Sequence, residues 1–177
     1  MIKNSNSGFT LVETLVSLLI FTVSVAAMLF VTSQGVTNTT YSKNKIVATY
    51  LSEQGIEIVR FTRDSEVLGD SKNGWSSFTQ IIKNCESSLC SADPASVLSG
   101  DYGNAILNTP SEIYYSDADG YTFNSSNTDS GFVVSISAKE VGGSADKIQI
   151  TSTVSWKQGS SNYSVSSSEI LFNWPIL

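Results

Sequence analysis

Gly8-Phe9-Thr10-Leu11-Val12-Glu13-Thr14-Leu15-Val16-Ser17-Leu18-Leu19-Ile20-Phe21, continued with few polar residues to Val31, decides how this chain is organised. No charged residue occurs from Thr14 through Ser42. An apolar run of this length reaches the roughly 20 residues that an α-helix needs to cross the hydrocarbon of a bilayer. A secretory signal peptide has a shorter apolar core followed by a small-residue cleavage site, and Thr32-Ser33-Gln34-Gly35 matches that poorly. A buried core helix this long and uncharged is unusual for a domain of this size. A plain membrane anchor fits the run but leaves Glu13 unexplained.

A carboxylate just inside an apolar segment costs several kcal/mol in hydrocarbon, so such residues have partners. Before Glu13 stand Gly8-Phe9-Thr10-Leu11-Val12, and before those a short polar leader, Met1 to Ser7, with Lys3 as its cation. Glycine, an aromatic residue, Thr-Leu-apolar-Glu and then an uninterrupted apolar helix resemble the type IV prepilin signature element by element. That resemblance implies cleavage by prepilin peptidase between Gly8 and Phe9, on the cytoplasmic side where Lys3 holds the leader. It also implies N-methylation of Phe9, and Glu13 meeting the N-terminal amine of a neighbouring subunit during assembly. An opposite charge within about 4–6 Å favours the ionised carboxylate and offsets its desolvation. The bland alternative is an interfacial glutamate reaching to the headgroups with no partner.

Beyond the anchor, Val47, Leu51, Gln54, Ile58 and Phe61 recur at helical spacing, which predicts one apolar stripe laid on a globular head. No proline precedes Pro94, and glycine interrupts the helix only at Gly35 and Gly55. Many type IV pilins carry a proline in the apolar helix; here a kink of that origin is not expected. The segment Ala48 to Arg60 narrows the resemblance to the PilV- and GspI-like pilins of candidate-phylum bacteria. The expected organisation is a leader at 1–8, a long helix at 9–66 with its membrane-spanning half at about 9–33, and a head at 67–177. The resemblance implies the α+β type IV pilin fold, a long helix packed on an antiparallel meander.

Residues 67–110 read as loop-like, with a short helix at Trp75 to Lys83 that turns Phe78, Ile81 and Ile82 inward. Residues 111–177 read as antiparallel sheet. Phe132, Val134, Ile136 and Ala138 alternate with polar neighbours, and so do Ile148, Ile150, Ser152, Val154 and Trp156. Gly142-Gly143-Ser144 and Gln158 to Asn162 supply turns. Tyr163, Val165 and Ile170 to Trp174 make the last strand, ended by Pro175. Cys85 and Cys90 close a small disulfide loop in an exported chain, or are two buried thiols in a reducing compartment. Asp117-Ala118-Asp119-Gly120 reads as a hairpin turn; the alternative is a structural calcium site on Asp117 and Asp119, with Asp129 as a further ligand and no bidentate glutamate at the usual spacing. Tyr114, Tyr115, Trp75 and Trp174 read as packing aromatics, or as a sugar- or surface-binding patch.

The chain has 177 residues, a formal net charge of -6 and no histidine. The acidic balance and scattered lysines argue against a nucleic-acid surface. Without histidine there is no His-based triad or imidazole-ligated zinc, and no nucleophile constellation stands in, so neither an enzyme nor a cofactor is expected. The function implied is a structural subunit of a type IV pilus or related filament, with a minor pilin or secretion pseudopilin bearing a ligand-binding head as the alternative. Its partners would be other pilin subunits, prepilin peptidase, the inner-membrane assembly platform and, before assembly, the membrane.

Overall fold

A computed structural model describes residue 8 and residues 10–70, 72–100 and 104–173. Phe9, the leader residues before Gly8, and Trp174 and Pro175 at the end of the last strand lie outside them. The chain's contacts divide it into two units that meet between Ser42 and Lys43.

Helix α1, Leu11–Gly69, runs for 59 residues and passes through both Gly35 and Gly55. In the first unit every described side chain from Thr10 to Thr40 is exposed. In the second unit α1 packs on a five-stranded antiparallel sheet. Its strands are β3 (Ser111–Ser116), β4 (Gly120–Thr122), β5 (Thr128–Val141), β6 (Ser144–Gln158) and β7 (Ser161–Phe172). Strands β5, β6 and β7 form the expected meander. The order β4-β3-β5-β6-β7 departs from it, because the β3–β4 hairpin places β4 on the outer edge and the chain then returns past β3 to begin β5. Each strand read as alternating does alternate: Phe132, Val134, Ile136, Ala138, Ile148, Ile150, Val154 and Trp156 are buried, and so is Ser152.

Leu51 and Ile58 of the expected stripe are buried, but the buried face of α1 extends further round the helix than that stripe. The residues facing the sheet are Ala48, Leu51, Ser52, Gly55, Ile56, Ile58, Val59 and Thr62, whereas Gln54 is exposed and Phe61 keeps 45% of its surface in solvent. The buried line Ala48, Ser52, Gly55, Val59, Thr62 has the predicted spacing but stands one residue, about 100°, further round the helix. Small side chains explain the shift. At Gly55 an added Cβ would lie 2.5 Å from Ser152 Oγ, 3.3 Å from Ser152 Cβ and 3.7 Å from Ile136. Backbone can meet sheet there only because no side chain intervenes. Beside it, Ser52 Oγ donates to Thr49 O at 2.9 Å and shares a 2.7 Å hydrogen bond with Ser167 Oγ, so its burial leaves no hydroxyl unpaired. Further along, Arg60 bridges Glu57 at 2.5 Å and also Glu169 on β7, and Arg63 Nη1 donates to Phe172 O at 3.2 Å. Helix α1 therefore runs in the same sense as β7.

Between helix and sheet, the stretch that reads as loop-like carries short regular pieces: α2 (Gly74–Ile82), α3 (Asn84–Ser87), β1 (Ser91–Ala92), α4 (Pro94–Leu98) and β2 (Ile106–Leu107). Asp70 prepares the entry to α2. Its carboxylate accepts from the backbone of Lys72 and Asn73 and from the Asn73 side chain, and these donors, the Lys72 N–H first, hold its pKa below the ordinary value. Phe78 and Ile82 of α2 are buried, and Ile81 packs against the same core. Cys85 of α3 forms a disulfide with Cys90, Cα atoms 5.2 Å apart, and both residues are buried. Cys90 exchanges backbone hydrogen bonds of 2.8 and 2.7 Å with Ile136. It thereby extends the sheet beside β5 just beyond the pairing of Ser111 with Val134.

Two outcomes follow from this packing. Gly55→Ala gains up to about 1 kcal/mol of helix propensity but meets Ser152 Oγ, and overpacking of this kind costs about 1–3 kcal/mol. Thermal unfolding of the full chain in detergent, read by near-UV circular dichroism, should show Gly55→Ala melting below the wild type. Ser152→Ala removes a buried hydroxyl with no hydrogen-bond partner among the described residues; it should cost little alone and restore much of the Gly55→Ala loss. Equal effects of Gly55→Ala in both backgrounds would contradict the close approach. Second, neither Cys85 nor Cys90 should be alkylated in unreduced, denatured protein. Replacing both by Ala should lower the melting temperature by about 4–8 °C for a small-loop constraint of about 2 kcal/mol; labelling of both thiols without reductant would refute the bond.

Candidate functional site

The candidate site is the start of α1. Gly8 is exposed, and Phe9, its partner in the proposed cleavage bond, lies outside the described residues. Thr10 ends the non-helical backbone and caps the helix. Its Oγ1 accepts from Glu13 N at 3.3 Å, and its carbonyl accepts from Glu13 N at 3.1 Å and Thr14 N at 3.2 Å. Thr10 and Glu13 thus occupy the first and fourth places of a Thr-x-x-Glu capping box, in which the acidic side chain also complements the positive end of the helix dipole. Glu13 therefore has a local helix-starting role as well as its charge. The spacing was visible in the sequence as a capping signature, and a reading of Glu13 through its charge alone passes over it.

The hydroxyls of this segment are satisfied within the helix. Thr14 donates to Leu11 O at 2.8 Å, Ser17 to Glu13 O at 2.8 Å, Thr22 to Leu19 O at 2.9 Å, Ser24 to Ile20 O at 2.7 Å and Thr32 to Met28 O at 2.9 Å. Back-bonding of this kind lets serine and threonine sit in an apolar environment without an orphan donor. By length and composition α1 is long and apolar enough to cross a membrane. Among the described residues Glu13 has no ion-pair partner. The arrangement is an apolar, internally satisfied rod with one exposed carboxylate in its first turn.

The second unit holds the remaining candidates. Asp117 and Asp119 flank the β3–β4 turn and serve it: Tyr115 OH donates to Asp117 Oδ1 at 3.2 Å and Ser116 Oγ to Asp119 Oδ2 at 3.1 Å. Asp129 stands on β5 opposite Tyr114, and its Oδ1 accepts from Gly131 N at 2.8 Å. No group of three or more metal-ligating side chains occurs among the described residues. Hydrogen bonds to Glu112 and to Asp117, respectively, raise the Tyr114 and Tyr115 pKa values and favour the neutral phenols. Tyr115 and Tyr121 pack at 5.1 Å, Tyr121 on Phe132 at 6.1 Å, Phe132 on Trp156 at 6.1 Å and Trp156 on Tyr163 at 5.7 Å. That row crosses all five strands. Trp75 belongs elsewhere, donating from Nε1 to Ala145 O at 2.9 Å and lying 5.5 Å from Phe78. Tyr114 and Tyr115 thus stand apart from Trp75; they do not make one patch with it.

The prokaryotic N-terminal methylation motif matches residues 3–29 of the chain. No curated protein and no solved structure matches it. The matched residues contain Gly8, Thr10, Glu13 and the start of the apolar rod; from Ala48 onward α1 lies on an antiparallel sheet. The methylation motif, together with a long N-terminal helix packed on an antiparallel head, supports placing this chain in the type IV pilin and pseudopilin family.

Proposed function

We propose that this chain is a structural subunit of a type IV pilus or related filament, held in the membrane by α1 and polymerised through that helix after removal of residues 1–8. The single observation that carries this reading is the methylation motif on an apolar helix whose side chains, from Thr10 to Thr40, are all exposed. Lipid would cover that surface before assembly, and the helices of neighbouring subunits would cover it afterwards. In this reading prepilin peptidase cuts between Gly8 and Phe9, Phe9 is N-methylated, and Glu13 pairs with the N-terminal amine of an adjacent subunit. No catalytic activity is part of it. Residues 67–177 form the head exposed outside the membrane, where the Cys85–Cys90 disulfide persists.

Substitutions at Glu13 separate charge from helix capping. Glutamine keeps the reach of a capping-box residue but not the charge; aspartate keeps the charge with a shorter reach. Breaking a buried pair by removing one partner costs about 3–5 kcal/mol. Glu13→Gln and Glu13→Ala should therefore both insert in the membrane and both fall about a hundredfold or more in incorporation, with Glu13→Asp intermediate. The measurement is the ratio of this chain in sheared filaments to the membrane pool. If Glu13→Gln incorporates like the wild type, the charge is not the assembly determinant.

A further inference from the structure

Within the second unit a cleft of about 640 Å³ opens between α1, the start of α4 and the β3–β4 hairpin, within the range of small-ligand sites. Its wall includes Gln54, Asp93, Asp119, Tyr121, Phe123 and Asn124 and, among the described residues, no lysine or arginine. Below it a smaller hollow shares Gln54, Tyr121 and Phe123 and is floored by Leu51, Ile58 and Val134. Asp93 caps α4, accepting from Ala95 N at 3.0 Å and from Ser96 Oγ at 3.0 Å. Asp119 accepts from Ser116 Oγ at 3.1 Å. All these donors are neutral, and neither carboxylate is in an ion pair among the described residues. Two negative charges, each hydrogen-bonded only to neutral donors, thus stand in the wall of an open cleft that also carries two aromatic rings.

We propose that this cleft binds a primary alkylammonium group: the cation between Asp93 and Asp119, its stem against Tyr121 and Phe123. Carboxylates in a concave wall focus negative potential, and aromatic faces attract an ammonium within about 6 Å. An anion is repelled. A neutral polyol gains hydrogen bonds but leaves both charges uncompensated. A lysine side chain and a free diamine share the recognised chemistry. The site is independent of filament assembly, so its test does not depend on the function proposed above.

The test is calorimetric titration of the full chain in non-ionic detergent with cadaverine, with a blocked lysine tripeptide, and with the neutral pentanediol of cadaverine's length. Saturable binding of either amine, weakening as salt screens the charges, supports the site; binding of the peptide alone assigns it to a protein partner, and of cadaverine alone to a free amine. Asp93→Asn keeps the helix cap, since asparagine caps as well as aspartate, and Asp119→Asn keeps an acceptor for Ser116. Each should weaken binding about threefold or more, as for partly exposed charge pairs. Absence of saturation by both amines, equal binding of the diol, or unchanged affinity in the double variant would overturn the proposal.

Discussion

Apolar surface removed from water contributes about 25 cal/mol per Å², and the first unit of this chain removes almost none of its own. From Leu11 to Val36 the large apolar side chains of α1 stay exposed, Leu11 at 75% and Met28 at 73%. A helix of that kind has to be sheathed by something other than its own chain. Everything else in the N-terminal segment is consistent with such sheathing: hydroxyls bonded back to carbonyls, Thr10 capping the first turn, and, from Gly8 to Ser42, charged side chains confined to Glu13. A lone carboxylate is tolerable at a helix start, where backbone N–H groups and the dipole favour it. Buried among neighbouring helices it would need a cation.

In the second unit the same helix obeys a different rule. Its sheet-facing line is made of small residues, Ala48, Ser52 and Gly55, followed by Val59 and Thr62, and the gain comes from close packing. Ile56 and Ile58 flank that line and, with Val59, join Phe78, Ile82, Ile136, Ile148, Ile150 and Leu171 in one core. The disulfide and the Cys90–Ile136 backbone pair fasten the connecting segment to β5. Arg60 and Glu169 tie the helix to the far strand with partly exposed charges, which contribute little beyond orientation.

Much of this was legible in the sequence because period and punctuation survive without coordinates. The two-residue alternation of Phe132 to Ala138 and of Ile148 to Trp156 gave the sheet face correctly, and the glycine turns gave the hairpins. The helical period of α1 was also correct and Leu51 and Ile58 of the expected stripe are buried, but Gln54 and Phe61 are exposed and the small residues beside them were passed over. Weighing hydrophobicity favoured Phe61 and Val47, whereas contact with a sheet rewards glycine, alanine and serine, whose value lies in what they leave out. The place of β4 at the outer edge was not readable, since strand order depends on long-range pairing that no local pattern encodes. Nor was the cleft: Gln54, Asp93 and Asp119 come from three separate elements and share a wall only after folding. At the N-terminus the Thr10–Glu13 cap was written in the sequence, while the partner of Glu13 lies on another molecule in the reading proposed here.

The claim at the centre of this account is that α1 becomes the assembling end of a processed subunit. Intact-mass analysis of sheared filaments tests it most directly. The account predicts a chain that begins at Phe9, carries one added methyl group and retains the Cys85–Cys90 bond. A filament chain that still begins at Met1, or one that begins after the apolar run at Val31, would contradict it.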